Sequence, residues 1–246
     1  MNIEALFKLH EGLPRGGPGS SQSTIEAIKR LPPFPAPPRI LDIGCGPGAQ
    51  TVVLARELQG QTTAIDVYPP FLDACRAAAE SAGLGHLVEV RDLSMDALDF
   101  EPESFDLIWS EGAVFILGVE AALRLWRPFL KPGAIIAFTE ASWLTDNPPA
   151  EARKYWAQNY PIMATAEANE ATVQAQGYEP LSHFTLPPSD WTQEYYAPLK
   201  KRIAQMETSA TPGLAATIDE TLHEIDIYDR HGEHYGYVFY ILRKSA

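Results

Sequence analysis

The stretch that decides the fold is residues 40–48, which read Ile40-Leu41-Asp42-Ile43-Gly44-Cys45-Gly46-Pro47-Gly48. An apolar run leads directly into three glycines at alternate positions, and Ala49–Leu58 follows with helical spacing. Glycine tolerates the backbone angles of a sharp turn and lets a ligand approach closely, because it has no Cβ. A helix that begins after such a turn presents unpaired N–H groups. The stretch therefore predicts a strand, a ligand-binding turn and a helix.

Strands and helices alternate outward from this turn. Such alternation is typical of parallel βαβ units, and we predict an α/β fold with a doubly wound, mostly parallel seven-stranded sheet and a helical lid. Two late strands close the chain, and we expect the last one to run antiparallel, as mixed sheets allow. The predicted strands are Arg39–Ile43, Thr62–Asp66, Leu87–Arg91, Phe105–Ser110, Ala134–Thr139, Tyr178–Leu186 and Tyr235–Leu242.

A proline-rich segment separates the N-terminal region from this alternating pattern. Five of the seven residues from Pro32 to Pro38 are proline, which excludes helix and sheet interior. We predict that residues 1–38 form an arm or lid with a stiff linker. Residues 39–246 form the main domain, with helical lid insertions at about 145–177 and 188–232.

Composition limits the classes of partner. The formal net charge is −13, from 19 Lys and Arg against 32 Asp and Glu, and an acidic protein repels a phosphate backbone. We therefore expect no nucleic-acid substrate. Apolar runs are far shorter than the ~20 residues that a membrane span requires, so no membrane partner is expected. The two cysteines, Cys45 and Cys75, build no disulfide framework, and a cytoplasmic location is the expectation. The sequence leaves the oligomeric state open.

The glycines alone do not identify the cofactor. Gly44 to Ala49 also satisfies the dinucleotide fingerprint G-x-G-x-x-A, and Asp66, which ends the next strand, suits ribose hydroxyls in either case. Asp42 would repel a pyrophosphate but suits a cofactor with a sulfonium and an amino group. Asp92 offers an acceptor where an adenine amino group would lie. With the antiparallel last strand, these features favour a methyl donor over a dinucleotide.

Three segments carry a resemblance to a known family. Asp42-Ile43-Gly44-Cys45-Gly46-Pro47-Gly48 resembles the first motif of class I S-adenosylmethionine-dependent methyltransferases, and residues 105–111 and 130–133 resemble its fourth-strand motif and the turn before strand five. The likeness covers roughly residues 39–140 and the last strand, which makes 39–246 the methyltransferase domain. It implies that the glycine turn contacts the methionine part of the cofactor. It also implies that Asp66 binds the ribose, and that Asp92 and the Leu93 backbone contact adenine.

A narrower likeness involves residues 13–19, 140–143 and 191–196. These segments resemble a bacterial subgroup of small-molecule-type methyltransferases of undefined substrate, in which the N-terminal arm folds over the cofactor. By that analogy, Arg15 approaches the methionine carboxylate. The implied cofactor-binding residues are Arg15, Asp42, Gly44, Cys45, Gly46, Gly48, Asp66, Asp92, Leu93 and Glu111.

The catalytic residue is unknown from the sequence, and Glu111 and Glu140 are the candidates. Each follows a strand at the rim where open α/β sheets bind ligands. Glu111 orients a substrate, holds the cofactor amino group or caps the next segment. Glu140 acts as a general base, as a cation partner or as a hydrogen-bonded rim carboxylate. Aromatic residues in the lid region favour an apolar or cationic substrate: Tyr155, Trp156, Tyr160, Trp191, Tyr195 and Tyr196.

Two other patterns carry little weight. Asn147-Pro148-Pro149 matches the start of a motif of amino-methylating nucleic-acid enzymes, but Ala150 replaces the aromatic residue that would stack on a base. His231 and His234 lack a third ligand, so no metal is expected. We predict methyl transfer from S-adenosylmethionine to a small molecule by direct in-line displacement. The alternatives are a non-catalytic cofactor-binding protein and an NAD-dependent oxidoreductase.

Overall fold

The computed structural model describes residues 2–34, 37–206 and 210–245. Its centre is one mixed sheet. Seven strands lie in the order β3-β2-β1-β4-β5-β8-β7, and the two-residue β6 pairs with the end of β5. The strands are β1 Arg39–Ile43, β2 Gln61–Asp66, β3 Val88–Asp92, β4 Phe105–Ser110, β5 Leu130–Trp143, β6 Ala164–Thr165, β7 Tyr178–Thr185 and β8 Tyr235–Lys244.

Strand direction matches the predicted fold class. The pairs β1–β2, β2–β3, β1–β4 and β4–β5 are parallel, whereas β8 runs antiparallel to both β5 and β7. The prediction of a mostly parallel sheet with an antiparallel last strand is confirmed. The strand order reverses between β1 and β4, and open α/β sheets bind ligands at such a reversal, beyond the carboxyl ends of the strands.

Helices cover both faces of the sheet. Successive strand residues point to opposite faces, and neighbours such as Ile40 and Leu41 belong to two different buried clusters. This explains why the central strands are continuously apolar in sequence. The helices are α1 Ile3–His10, α2 Ser21–Lys29, α3 Ala49–Leu58, α4 Pro69–Ser81, α5 Val119–Trp126, α6 Ala150–Asn159, α7 Ala166–Ala175, α8 Pro188–Trp191, α9 Ala197–Met206 and α10 Pro212–His231. Short 3₁₀ turns occur at Val114–Ile116 and Arg127–Phe129, and a π-helical turn at Thr192–Tyr196.

Several strands differ from their predicted bounds by one or two residues, and β5 differs most. Strand β5 is longer than the predicted segment 134–139 because its pairing with β8 continues to Trp143, opposite Tyr235. The sequence predicts a helical segment over 149–176 with an interruption at Pro161, and the structure has α6 before this proline and α7 after it. Tyr160 has a non-helical backbone, with φ −149° and ψ 74°, because the following Pro161 disfavours the helical region, and β6 then pairs with β5.

The predicted domain boundaries fall partly outside the described chain. Residues 35 and 36 of the proline-rich linker and residues 207–209 of the second predicted insertion are not among the described residues. The division at residue 38 and the two lid insertions stay predictions. Among the described helices, none is long and apolar enough to cross a bilayer.

Candidate functional site

A cavity of about 300 Å³ lies at the carboxyl ends of β1, β2 and β4. Its walls are the glycine turn after β1, the end of β2, the segments that follow β3 and β4, and one face of α1. Six of the residues predicted to bind cofactor line it: Gly44, Cys45, Gly46, Asp66, Leu93 and Glu111.

The three glycines of the turn serve different purposes. All have positive φ angles, of 70° at Gly44, 53° at Gly46 and 91° at Gly48, a region that favours glycine. A Cβ at Gly44 would lie 2.5 Å from the Ala113 Cβ, and one at Gly48 would lie 2.7 Å from the Cys75 Sγ. A Cβ at Gly46 would meet no protein atom within 4 Å, so it would occupy ligand space. Packing therefore requires two of the glycines, and the third keeps the cavity open.

Asp66 fastens the end of β2 to the glycine turn. Its Oδ2 accepts a hydrogen bond from the Gly46 N–H at 2.9 Å, and its Oδ1 accepts from the N–H groups of Val67 and Tyr68 at 2.8 and 3.1 Å. Burial raises the pKa of Asp66, and these backbone bonds oppose that shift. The carboxylate therefore lines the cavity in a fixed orientation.

Asp42 lies beneath the turn, and the cavity wall does not include it. Its Oδ2 accepts from the Thr51 hydroxyl at 2.6 Å, and its Oδ1 accepts from the Gln50 Nε2 at 3.4 Å. Gln50 also donates to the Cys45 carbonyl at 3.1 Å and itself lines the cavity. Burial raises the pKa of Asp42 to about 7. Asp42 thus takes a supporting position, because Gln50 lies between it and the cavity, and its contact with a positively charged cofactor stays a prediction.

Two further predicted residues also lie off the cavity wall. Gly48 packs against Cys75 and begins α3. Asp92 is exposed at the end of β3, next to Asp66 in register, while Leu93 takes the place on the wall. The predicted contacts of Gly48 and Asp92 with the cofactor stay predictions.

Arg15 and Glu111 form a buried ion pair beside the cavity. The Arg15 Nη1 lies 2.9 Å from the Glu111 Oε2, and the two side chains are only 8% and 4% exposed. The Glu111 Oε1 accepts from the Thr24 hydroxyl at 2.7 Å and from the Trp109 Nε1 at 2.9 Å. The Arg15 Nη2 is buried and has no hydrogen-bond partner within the described ranges. Glu111 is therefore a positioned acceptor, whereas Arg15 keeps a free donor.

Glu140 lies apart from this network. It is 2% exposed, and neither carboxylate oxygen has a hydrogen-bond partner in the described part of the chain. Burial raises its pKa to about 8, an effect that the neighbouring Tyr160 partly offsets. Glu140 lines a second cavity, and the structure does not bring it together with Glu111.

The sequence predicts an N-terminal arm over the cofactor, but the sequence reasoning named none of the α1 residues that line the cavity. Ile3, Leu6, Phe7 and His10 line the cofactor cavity, and their helical spacing was the signal that would have found them. The His10 Nδ1 donates to the Leu6 carbonyl at 2.8 Å, so Nε2 accepts the Tyr195 hydroxyl at 2.9 Å. Burial lowers the pKa of His10, which keeps it neutral.

The six aromatic residues of the predicted lid do not line the cofactor cavity, whereas Tyr160 lines the second cavity. Four of the six are buried in the core cluster: Trp156, Trp191, Tyr195 and Tyr196. An aromatic lid over the substrate stays a prediction.

The remaining sequence patterns lie outside the cavity. His231 and His234 lie 3.0 and 3.3 Å from Glu151 and Glu233 carboxylates, respectively. Within the described ranges, no group of three or more His, Cys, Asp or Glu residues is placed to hold a metal ion. Residues 147–149 lie in a surface cleft at the start of α6.

Together, the sheet order and the glycine turn define an open α/β protein with a nucleotide-type cofactor cavity. A family model described as a methyltransferase domain matches residues 40–133. The "Uncharacterized methyltransferase YodH" of Bacillus subtilis is 26% identical over 181 residues, 73% of this chain and 76% of that protein. The trans-aconitate 2-methyltransferase of Streptomyces coelicolor is 31% identical over 65% of this chain, which spans 54% of that relative.

A solved structure extends this likeness over the fold. The S-adenosylmethionine-dependent methyltransferase of Geobacter sulfurreducens, in complex with S-adenosyl-L-homocysteine, aligns with a TM-score of 0.79 and 21% identity, covering 98% of this chain and 97% of that one. The match identifies a methyltransferase domain in residues 40–133, and the whole chain shares the fold of this S-adenosylmethionine-dependent methyltransferase. The match favours a methyl donor over a dinucleotide at the glycine turn.

Proposed function

We propose that this chain is an S-adenosylmethionine-dependent methyltransferase that acts on a small, uncharged or cationic organic molecule, which approaches the cofactor past the segment 113–118. One observation carries this: the wall of the cofactor cavity has few charged groups, among them Asp66 and Glu111, between apolar side chains such as Leu6, Phe7 and Phe115. An apolar wall with few fixed polar groups is typical of small-molecule sites.

The polar residues at and beside the cavity fit the cofactor. Arg15 has a buried Nη2 without a partner, and the methionine carboxylate would satisfy it. Asp66 would accept the ribose hydroxyls, since its carboxylate already faces the cavity in a fixed orientation. Leu93 would lie against adenine, with Asp92 at the exposed edge. Gly44, Cys45 and Gly46 would contact the methionine part.

The chain's contribution to the reaction is alignment and exclusion of water. When bound, the cofactor supplies a methyl group on a positively charged sulfur, which the acceptor displaces in line to leave S-adenosylhomocysteine. The glycine turn fixes the cofactor, and the apolar face of α1 covers it. Holding both reactants in a water-poor site supplies much of the acceleration in such transfers.

The same proposal includes the class of acceptor that is excluded and the location of the protein. The acidic net charge of −13 disfavours nucleic acid as the acceptor. A cytoplasmic location agrees with two unpaired cysteines, Cys45 and Cys75, which are both buried.

Calorimetry with S-adenosylhomocysteine tests the cofactor roles. We expect the wild type to bind it, and Asp66→Ala to weaken binding by ~1.5–3 kcal/mol, as for the loss of a charged hydrogen-bond partner. Asp219→Ala is the matched control, because Asp219 is exposed on α10. Thermal melts identify any variant that fails to fold. Wild-type protein that binds NADH instead of S-adenosylhomocysteine would contradict the assignment.

A turnover assay distinguishes an enzyme from a non-catalytic cofactor-binding protein. Incubation with S-adenosylmethionine and a panel of small amines, alcohols and phenols should release S-adenosylhomocysteine above the rate without acceptor. Tight cofactor binding with no acceptor-dependent release would favour the non-catalytic alternative.

A further inference from the structure

A second cavity, of about 440 Å³, lies beside the end of β5 and is lined by α5 and α7. Its lining includes Gly118, Glu120, Arg124, Glu140, Tyr160 and Asn169. Glu120 and Arg124 are exposed, so the outer lining carries both signs of charge. Glu140 is the buried charged group of this lining.

Glu140 differs from the other buried acids in the described part of the chain. Asp42 and Glu111 accept the hydrogen bonds described above, Asp190 accepts from the Ser23 hydroxyl at 2.5 Å, and Glu224 accepts from the Tyr196 hydroxyl at 2.9 Å. Neither oxygen of Glu140 has a partner of full hydrogen-bond geometry in the same described ranges, although the Tyr160 hydroxyl and the Ala141 N–H lie near enough to lower its pKa. Buried polar groups are nearly always satisfied, so an exception beside a cavity points to a partner that comes with a ligand.

The missing partner is best supplied by a cation. A carboxylate offers acceptors only, and an ammonium group brings up to three donors together with the opposite charge. Tyr160 adds an aromatic ring and a hydroxyl at the same place, and ring faces attract cations.

The wall between the two cavities places this site next to the cofactor. Phe115 and Ile116 line the cofactor cavity, and the following Leu117 and Gly118 line the second one. The Phe115 ring meets the Tyr160 ring edge to face, with centroids 6.4 Å apart. The two cavities are therefore separated by one short segment and one ring pair.

We propose that the second cavity binds the acceptor through a primary or secondary ammonium group held by Glu140, with Tyr160 against it. This inference rests on the proposed function, and it makes Glu140 a specificity-determining residue. The rest of the acceptor would extend along Phe115 and Tyr160 toward the cofactor. The raised pKa of Glu140 agrees with a carboxylate that lacks its cation.

Binding of three small probes tests the proposal. 2-Phenylethylammonium, 2-phenylethanol and phenylacetate have similar size but carry positive, no and negative charge. Each is titrated by ligand-observed NMR into protein saturated with S-adenosylhomocysteine. We expect the wild type to bind the ammonium probe more tightly than the other two. Glu140→Gln should weaken the ammonium probe by about tenfold or more, as for loss of a charge-assisted hydrogen bond.

Glu89→Gln is the matched control, because Glu89 is an exposed acid on β3 that lines neither cavity. It should leave ammonium binding within about twofold, as expected for an exposed charge. Equal ammonium affinity in wild type and Glu140→Gln, no ammonium binding by the wild type, or equally tight binding of 2-phenylethanol would each overturn the inference. Calorimetry of S-adenosylhomocysteine on the same samples keeps the two proposals apart. If the cofactor binds and the probes fail, only this inference falls.

Discussion

Glu111 and Glu140 belong to neighbouring regions of the sheet, beyond β4 and within β5, yet their surroundings are opposite. Glu111 has a guanidinium, a hydroxyl and an indole N–H as donors, whereas Glu140 has no hydrogen-bond donor from the described residues. A carboxylate whose donors come from the protein is preorganised before any ligand arrives. One without donors depends on what enters the cavity. The protein alone therefore positions Glu111 beside the cofactor cavity, whereas a bound ligand would complete the hydrogen bonding of Glu140.

The largest expected effect on this comparison is the loss of stability in Arg15→Met, which removes the ion pair of Glu111. Removing the cation leaves Glu111 as a buried charge with two neutral donors, and breaking a buried pair from one side costs ~3–5 kcal/mol. Urea unfolding measures the loss. Arg76→Met is the control, because the Arg76–Asp73 pair is exposed on α4 and such pairs contribute about 0–1 kcal/mol. Equal destabilisation by the two variants would contradict the described burial of Arg15.

Glu140→Gln tests the surroundings of Glu140 through the pH dependence of protein stability. The pKa of Glu140 is raised to about 8 by burial, so the folded protein holds a proton that the unfolded chain releases above its ordinary value of 4.5. Wild-type stability should therefore fall as pH rises from about 4.5 to 8, relative to the glutamine variant, by at most about 1.4 kcal/mol per pH unit. The expected total is a few kcal/mol, in favour of the variant at high pH.

Chemical unfolding at several pH values measures this difference. The ionisable groups that face Glu140 or share its cavity are Tyr160 after α6, Glu120 and Arg124 on α5, and Tyr237 and Tyr240 on β8. Burial raises the pKa values of the three tyrosines, so they do not titrate in this window. A pH-independent difference between wild type and Glu140→Gln would show that Glu140 finds donors when the protein is free.

The smallest expected effect is that of Thr24→Val. It removes one neutral donor from Glu111 and leaves Arg15 and Trp109 in place, so the expected loss is about 1.5–3 kcal/mol, below that of Arg15→Met. Thr192→Val is the control, since its exposed hydroxyl donates only to the Pro188 carbonyl of the preceding helical turn. Urea unfolding should rank the variants Arg15→Met, Thr24→Val and Thr192→Val; a reversed order would mean that the ion pair contributes less than a hydroxyl.

The sequence predicted what depends on local pattern. The glycine turn, the apolar strands and the antiparallel last strand all leave signals within a few residues. The end of β5 did not, because its length is set by pairing with β8, which lies about a hundred residues later in the chain. The local periodicity of a sequence does not reveal pairing between strands that lie far apart in the chain.

The candidate site was predictable to a similar degree. Asp66 and Glu111 follow strands, and strand ends of a parallel sheet meet at one edge. Asp42 was assigned to the cavity because it precedes the turn, but it lies beneath it. The N-terminal helix was read as an arm, and its four cavity-lining positions emerge only when α1 is placed over the sheet. Unpaired donors and acceptors, such as the Glu140 oxygens, have no sequence signal at all.

The shared wall at residues 113–118 has a thermodynamic consequence. Ala113 packs against Gly44 so closely that even a Cβ would not fit between them, and the same segment then runs on to Gly118 in the second cavity. A ligand that shifts this segment from one side changes the free energy of binding on the other side. Linkage makes such coupling reciprocal, so a cofactor that tightens acceptor binding is itself held more tightly, by the same factor, once the acceptor is present.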